Sequence, residues 1–407
     1  MKNRLIQKTG EELSPLGFGA MRLPQKNGKI DYEKAREQIY YAIDNGVNVI
    51  DTAYIYGNSE KFLGDVLTGE YKDKVKIITK LPAFQIRKRE DMDSILDDQL
   101  KRLKRDCIDY YLIHSVDLKT MNKLLKKGLI EFIGDAKAAG KIKHIGFSYH
   151  GAKEEFEILI DGYDWDVVMV QYNYFDENVQ ASRDGIEYAA SKGIGVFVME
   201  PLKGGILAGK MPEEAEEIFK QANPNKSNAE WALEWVLNNR NVTTVFSGMN
   251  SMEQIKENLK VANNTEALSM SLEDMETIEL VKRVISRLLK INCSTCGYCM
   301  PCPRGVNIPE CMKIYNEKYL FNQKGFISPS LFDYYQYVGG AMNKPRNAGR
   351  CNGCGKCLRK CPQKLDIPKE LKKVEKEFEG HFFGLKVGFI TKIGMPIFTM
   401  FNKIMGR

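Results

Sequence analysis

The sequence predicts an α/β fold, a (β/α)8 TIM barrel followed by a small α-helical domain built around cysteines. Three observations carry that reading. A β-rich run followed by a helical stretch recurs eight times in residues 1–285, the pattern of parallel βα units. Nine of the 10 cysteines fall between Cys293 and Cys361, and Cys107 stands alone. Charge divides the chain at the same place. From residue 286 onward 21 Lys and Arg stand against 8 Asp and Glu, a surplus of +13, whereas residues 1–285 carry −6 of the net +7. The expected division is a barrel over 1–285, a cysteine domain over 286–380 and a basic tail over 381–407.

The strand candidates are the apolar runs 16–23, 47–53, 75–81, 108–115, 142–147, 167–172, 194–201 and 242–248. Amphipathic helical stretches lie between them. Residues 32–45 put Ala35, Ile39, Ala42 and Ile43 on one face, and Asn45-Gly46 supplies a helix C-terminus. Residues 92–103 and 252–261 repeat that spacing. Eight such units in slightly more than about 250 residues fit a closed barrel. The rival, an open doubly wound sheet, more often carries a Gly-rich turn after its first strand. Here Pro24 and a polar loop follow, with no G-x-G-x-x-G.

Composition narrows the class further. With 43% hydrophobic and 28% charged residues the chain reads as globular and not disordered. The start, MKNRLIQKTGEEL, lacks the apolar core of a secretory signal, and no uncharged apolar run of about 20 residues occurs. A cytoplasmic protein is expected.

A barrel places its chemistry where strands end and loops begin. The second predicted strand ends in Asp51-Thr52-Ala53-Tyr54-Ile55-Tyr56-Gly57, the third on Lys80 and the fourth on His114. A carboxylate, a phenol, an ammonium and an imidazole therefore leave three consecutive strands at one rim. A free tyrosine, with a pKa of about 10, is a reluctant acid at neutral pH. A neighbouring ammonium stabilises its phenolate, and a carboxylate holds the ammonium in place. With an imidazole to orient a carbonyl oxygen, the set suits protonation of a ketone or aldehyde as hydride reaches its carbon. Any one of the four alone would more often be a solvated or structural side chain.

Residues 351–362 read Cys351-x2-Cys354-x2-Cys357-x3-Cys361-Pro, the bacterial ferredoxin run for a [4Fe–4S] cluster, whose fourth cysteine ligates the other cluster. Zinc usually takes two separated C-x2-C pairs instead. The earlier run, Cys293-x2-Cys296-x2-Cys299-x2-Cys302-Pro, is one residue short before its last cysteine. Crossed ligation then assigns Cys293, Cys296, Cys299 and Cys361 to one cluster, and Cys351, Cys354, Cys357 and Cys302 to the other. Gly297 and Gly355 would let the backbone approach the sulfides, and Cys107 and Cys311 read as plain buried thiols.

Residues 1–285 resemble the aldo-keto reductase superfamily, from Thr9-Gly10 and Leu16-Gly17-Phe18-Gly19 through residues 51–57 to Gly248 and Glu257-Asn258. The resemblance implies a catalytic tetrad of Asp51, Tyr56, Lys80 and His114, with the tyrosine as general acid and the histidine positioning the carbonyl. It implies NADPH stretched across the rim. Ser148 and Gln171 would hold the nicotinamide carboxamide, and the loop Pro201-Leu202-Lys203-Gly204-Gly205 would lie at the pyrophosphate, with Leu202 and Gly204 as contacts. Ser247, Gly248, Met249 and Asn258 would lie on the adenosine side. Three positions depart from the pattern: Met199 stands where an aromatic ring often stacks on nicotinamide, Tyr149 where an Asn commonly follows Ser148, and Gly248 and Gln254 where cations usually grip the 2′-phosphate. NADP, NAD or a flat substitute such as flavin is therefore expected.

The cysteine domain resembles a two-cluster ferredoxin with an insertion, and the whole chain resembles the iron–sulfur aldo-keto reductases of anaerobic microbes. The expected function is NAD(P)H-dependent carbonyl reduction or alcohol oxidation, with two [4Fe–4S] clusters for electron transfer or bracing. A flavin-containing, ferredoxin-coupled oxidoreductase and a non-catalytic redox sensor or electron-transfer subunit are the alternatives. The positive surplus suits an acidic electron carrier such as ferredoxin or flavodoxin, and no nucleic-acid module is recognisable. Residues 381–407 carry four Lys and Arg, no acid and a helix-spaced apolar stripe. Gly388, Gly394 and Pro396 interrupt it, which favours packing on protein over a membrane surface.

Overall fold

The structure is a computed structural model that describes residues 1–323, 328–340, 344–380 and 383. The basic tail expected over 381–407 therefore lies outside the described residues, Phe383 excepted. The chain forms two compact units: Met1–Gly209 with Pro224–Ile278, and Lys210–Asn223 with the chain from Glu279 onward.

The first unit is an eight-stranded parallel barrel. Its strands are β1 (Leu16–Gly19), β2 (Val49–Asp51), β3 (Lys76–Pro82) and β4 (Ile108–Val116), followed by β5 (Ile142–Tyr149), β6 (Val167–Gln171), β7 (Gly195–Met199) and β8 (Thr244–Ser247). Each pairs with the next in sequence, and β8 closes on β1 with Val245 opposite Leu16 and Ser247 opposite Phe18. All eight predicted strands are present. Continuous apolar runs rich in Val and Ile suit strands buried on both faces, inside against the barrel core and outside against helices. The helix Tyr32–Asp44 buries the predicted Ala35, Ile39, Ala42 and Ile43. Asp31 caps it through the Lys34 N–H, and Gly46 leaves it at φ +97°.

The barrel interior holds Val49, Ile78, Tyr110, Leu112, Val167, Met169, Phe197 and Phe246. Gly17 makes room for the last of these, because a β-carbon there would sit 2.3 Å from the Phe246 ring. The floor is sealed by a hairpin that the strand pattern did not anticipate, Arg4–Ile6 paired with Glu11–Leu13. Its Ile6 and Leu13 join the interior cluster. Glu11 meets Lys76 and Lys143, at the beginnings of β3 and β5. Those cations hold its carboxyl well below the usual range, at about 2.

In the second unit the helices Ile308–Leu320 and Ile367–Phe378 pack around Val306, Met312, Tyr334, Leu371 and Val374, with six of the cysteines against that core. Two buried polar side chains fix where the cysteine runs begin. Asn316 accepts from the Ile291 N–H at 2.9 Å and donates to the Ile291 carbonyl at 2.7 Å, two residues before Cys293. Glu379 accepts from the Tyr334 hydroxyl, the Asn347 amide and the Gly349 N–H, just ahead of Cys351. A Glu379→Ala change leaves three donors without that acceptor. At roughly 1–3 kcal/mol for each buried unsatisfied group, it is expected to lower this unit's stability by about 3 kcal/mol. Thermal melting with iron content checks this, and an unchanged melt would refute it. Among the described residues no helix is long and apolar enough to cross a membrane.

Candidate active site and cysteine quartets

Asp51, Lys80 and His114 stand at or near the C-terminal ends of β2, β3 and β4, and Tyr56 follows in the turn after β2. That turn is tight, with Tyr56 N–H on the Ala53 carbonyl at 3.0 Å and Ser59 N–H on the Tyr56 carbonyl at 3.1 Å. The Ser59 hydroxyl pins it, donating to the Ala20 carbonyl at 2.9 Å and accepting from Thr52 at 2.9 Å. The pairing of β4 with β5 slips between Ile113 and Val116, and Ser115 adopts φ +55°. Such a bulge re-aims neighbouring side chains, here beside His114.

The structure brings these four residues together. The Lys80 ammonium, 1% exposed, is ion-paired with Asp51 and donates to the Thr52 carbonyl at 2.8 Å. It also lies over the Tyr56 ring, 4.9 Å from the centroid. The Tyr56 and His114 rings meet edge-on, their centroids 6.0 Å apart. Burial lowers the Lys80 pKa, and Asp51 pulls it partly back. Burial is also the main reason that the His114 pKa falls well below 6.5, with Lys80 and His150 adding to it, so the imidazole is neutral.

Behind Lys80 lies a buried network that sequence reasoning missed. Glu60 accepts from Thr79 at 2.6 Å and from Gln99 at 2.7 Å, and Gln99 also donates to the Lys80 carbonyl at 3.1 Å. The Tyr111 hydroxyl donates to Gln99 at 2.7 Å. A Tyr-Gly-Asn-Ser-Glu run offers no sign that its Glu turns inward, because that depends on partners from β3, β4 and the helix Glu90–Leu103.

The predicted dinucleotide contacts occupy the other half of the mouth, on β5 to β8. The Ser148 hydroxyl oxygen accepts from the Ser115 N–H at 2.7 Å. Gln171 donates to Asp176 at 2.8 Å and accepts from Gln180 at 2.7 Å, so its amide orientation is fixed. Asp176 is also ion-paired with Lys203, and both are fully buried. Met199 is half-buried at the end of β7 opposite Gln171, and Leu202 and Gly204 follow it. Ser247 accepts from Asn258 at 3.1 Å, with Gly248 exposed and Met249 buried beside it. The Gln254 side-chain Oε1 accepts from the Asn250 N–H at 3.0 Å and so is engaged at the start of the helix Met252–Asn264.

One cation at this end was not foreseen. Exposed Arg22, after β1, donates to the Gly204 carbonyl at 3.2 Å. Its stem passes 3.7 Å from where a β-carbon on Gly248 would sit. Five non-glycine residues on this side of the barrel, Ser115, Gln180, Ser182, Glu200 and Lys203, adopt φ between +47° and +62°. Backbone strain of this kind gathers at functional sites.

In the second unit Cys293, Cys296, Cys299 and Cys361 line one cavity, walled by Ile308, Pro309, Met312, Leu365 and Ile367. Burial and the three neighbouring thiols push the Cys299 thiol up to about 12. Cys357 is raised by burial too, with Cys351, Cys302 and Cys354 as its thiol neighbours. The two groups are those that crossed pairing of the runs brings together. Gly297, at φ +81°, has nothing within 4 Å of a β-carbon position and leaves the first cavity's rim open. Cys311 is fully buried and Cys107 partly so.

Comparison with known proteins accords with both units. Residues 15–280 match the family model for the aldo/keto reductase family, and residues 292–365 match a 4Fe-4S dicluster domain. An L-galactose dehydrogenase of Arabidopsis thaliana is 26% identical over 307 residues, covering 70% of this chain and 95% of its own. An NADH-specific methylglyoxal reductase of Escherichia coli is 26% identical over 310 residues, covering 65% and 94%. Among solved structures, the holo form of the aldo-keto reductase AKR11C1 from Bacillus halodurans superposes with a TM-score of 0.58 at 24% identity, covering 69% of this chain and 96% of that one. The barrel is thus matched almost end to end, and the chain belongs to the aldo/keto reductase family as an oxidoreductase-type barrel joined to a 4Fe-4S dicluster domain.

Proposed function

We propose that the protein reduces small carbonyl compounds, or oxidises the corresponding alcohols, with a nicotinamide dinucleotide as hydride partner and Tyr56 as proton donor. The observation that carries this reading is the meeting of Asp51, Tyr56, Lys80 and His114 at one end of the barrel. The Tyr56 hydroxyl gives its proton to the carbonyl oxygen as the carbon is reduced. Lys80, over the ring, stabilises the phenolate left behind, and Asp51 with the Thr52 carbonyl holds Lys80 in place. Neutral His114 can donate a hydrogen bond to the same oxygen without competing as an acid. A proton from water then restores Tyr56.

The residues on β5 to β8 fit a dinucleotide. Ser148 and the oriented Gln171 amide suit a carboxamide, and the helix start beyond Ser247 suits a phosphate. When bound, the dinucleotide supplies the hydride. Arg22 is the cation placed to meet its phosphates. An Arg22→Ala variant is therefore expected to bind the preferred dinucleotide about tenfold more weakly, with kcat little changed. Fluorescence titration with NADPH and NADH measures this, and unchanged affinity for both would exclude Arg22.

The two cysteine quartets fit two [4Fe–4S] clusters, which exchange single electrons when present. Hydride moves electrons in pairs, so the second unit is best read as a port to a separate single-electron carrier. The test is anaerobic turnover of NADPH or NADH with a panel of small aldehydes, followed by absorbance. Dinucleotide oxidised one-for-one with alcohol formed supports the reading. Failure to bind either dinucleotide, or a flavin band in the spectrum, overturns the nicotinamide assignment.

A further inference from the structure

The two quartets differ in how they meet solvent. The first is walled largely by apolar side chains, and each of its four cysteines is partly covered. In the second, Cys354 is exposed and sits between Gly353 at φ +72° and Gly355 at φ +69°. A β-carbon on Gly353 would meet nothing within 4 Å. Neither neighbour of the exposed Cys354 has a side chain that could shield it. Beside it Leu358 is 40% exposed, an apolar spot in a polar setting.

The chain here is rich in cations. From Lys344 to Leu365 the chain carries seven Lys and Arg and no Asp or Glu. Lys356, Arg359 and Lys360 are exposed around Leu358. Exposed Arg350 donates to the Arg304 carbonyl at 3.2 Å, and Lys360 reaches the Met300 carbonyl at 3.5 Å, so two cations of the later run lie against the backbone on either side of Cys302. An apolar spot amid predominantly basic residues suits a steered protein interface.

We infer that the face around Cys302, Cys351, Cys354 and Cys357 is the docking surface for an acidic single-electron carrier protein. The inference rests on the proposed role of the dicluster unit as an electron port. A carrier is favoured over other polyanions because the charges surround the point where a cysteine of the quartet is exposed. Close approach there shortens the path for an electron.

The test is anaerobic calorimetric titration of the cluster-loaded protein with an oxidised plant-type [2Fe–2S] ferredoxin, an acidic carrier, at several salt concentrations. The face variant is Lys356→Glu/Arg359→Glu/Lys360→Glu. The control is Lys369→Glu/Lys372→Glu/Lys373→Glu, which makes the same charge change on the helix Ile367–Phe378. The face variant is expected to weaken binding about tenfold or more and flatten its salt dependence, with the control within about threefold of the parent. Should the glutamates cost cluster absorbance, Lys356→Gln/Arg359→Gln/Lys360→Gln gives the same comparison. Equal loss in face and control variants would overturn the inference, as would no binding by the parent protein. So would binding of phosphatidylglycerol vesicles through these three residues without ferredoxin binding. Reduction of an uncharged quinone by the dithionite-reduced protein reads the port role separately. Quinone reduction without ferredoxin binding removes the docking face and keeps the role; neither reaction removes both.

Discussion

Replacing Tyr56 with phenylalanine is expected to lower kcat for carbonyl reduction by roughly 10²–10⁴-fold, the usual contribution of a positioned general acid. The change removes one oxygen and keeps the ring that Lys80 covers and His114 abuts. Dinucleotide affinity and melting temperature should therefore hold, and the loss should fall on kcat. Steady-state kinetics with calorimetry reads all three, and a rate within tenfold of the parent would remove Tyr56 from proton transfer. Lys80→Met makes an instructive contrast. It strands the Asp51 carboxylate in the interior, and breaking a buried pair in this way costs about 3–5 kcal/mol. That variant should lose both rate and stability, which is why the phenylalanine variant is the cleaner probe of chemistry.

Cys361→Ala is expected to halve the iron content, because Cys361 lines the cavity with Cys293, Cys296 and Cys299 although it belongs to the later cysteine run. Combining changes makes the assignment strict. Cys293→Ala with Cys361→Ala should still leave about half the iron, since both strike one cluster, whereas Cys354→Ala with Cys361→Ala should leave almost none. If each run instead served its own cluster, the two double variants would exchange results. A cluster's binding energy is also folding energy for the unit that surrounds it, so iron loss should lower the melting temperature of the second unit.

The strands were legible because each is an apolar run set off by amphipathic stretches, and period and length distinguish the two. The rim residues Asp51, Lys80 and His114 were legible for the same reason: a predicted strand end is a predicted position on the mouth. What remained hidden depended on contacts distant in sequence. The hairpin Arg4–Ile6 with Glu11–Leu13 has three-residue strands, half of them polar, so no periodicity marks it. Glu60, Gln99 and Tyr111 are polar residues turned inward, visible only once β3, β4 and a helix are side by side. Arg22 reaches Gly204 across 182 residues of chain, where composition at Gly248 and Gln254 had suggested an absence of charge. Asn316 and Glu379 lie outside both cysteine motifs yet fix where each run starts.

The sealed floor has a practical corollary. The N-terminal hairpin lies where the strands begin, and the reactive side chains stand where they end. A barrel tethered through its first residues to a bead or an electrode would present its mouth to the solution, with Ile6 and Leu13 as a stopper facing the support. Trimming the first 14 residues to shorten such a tether would draw the stopper. Water would then reach the underside of Tyr110 and Phe197, and the barrel interior beneath Lys80 would no longer be dry.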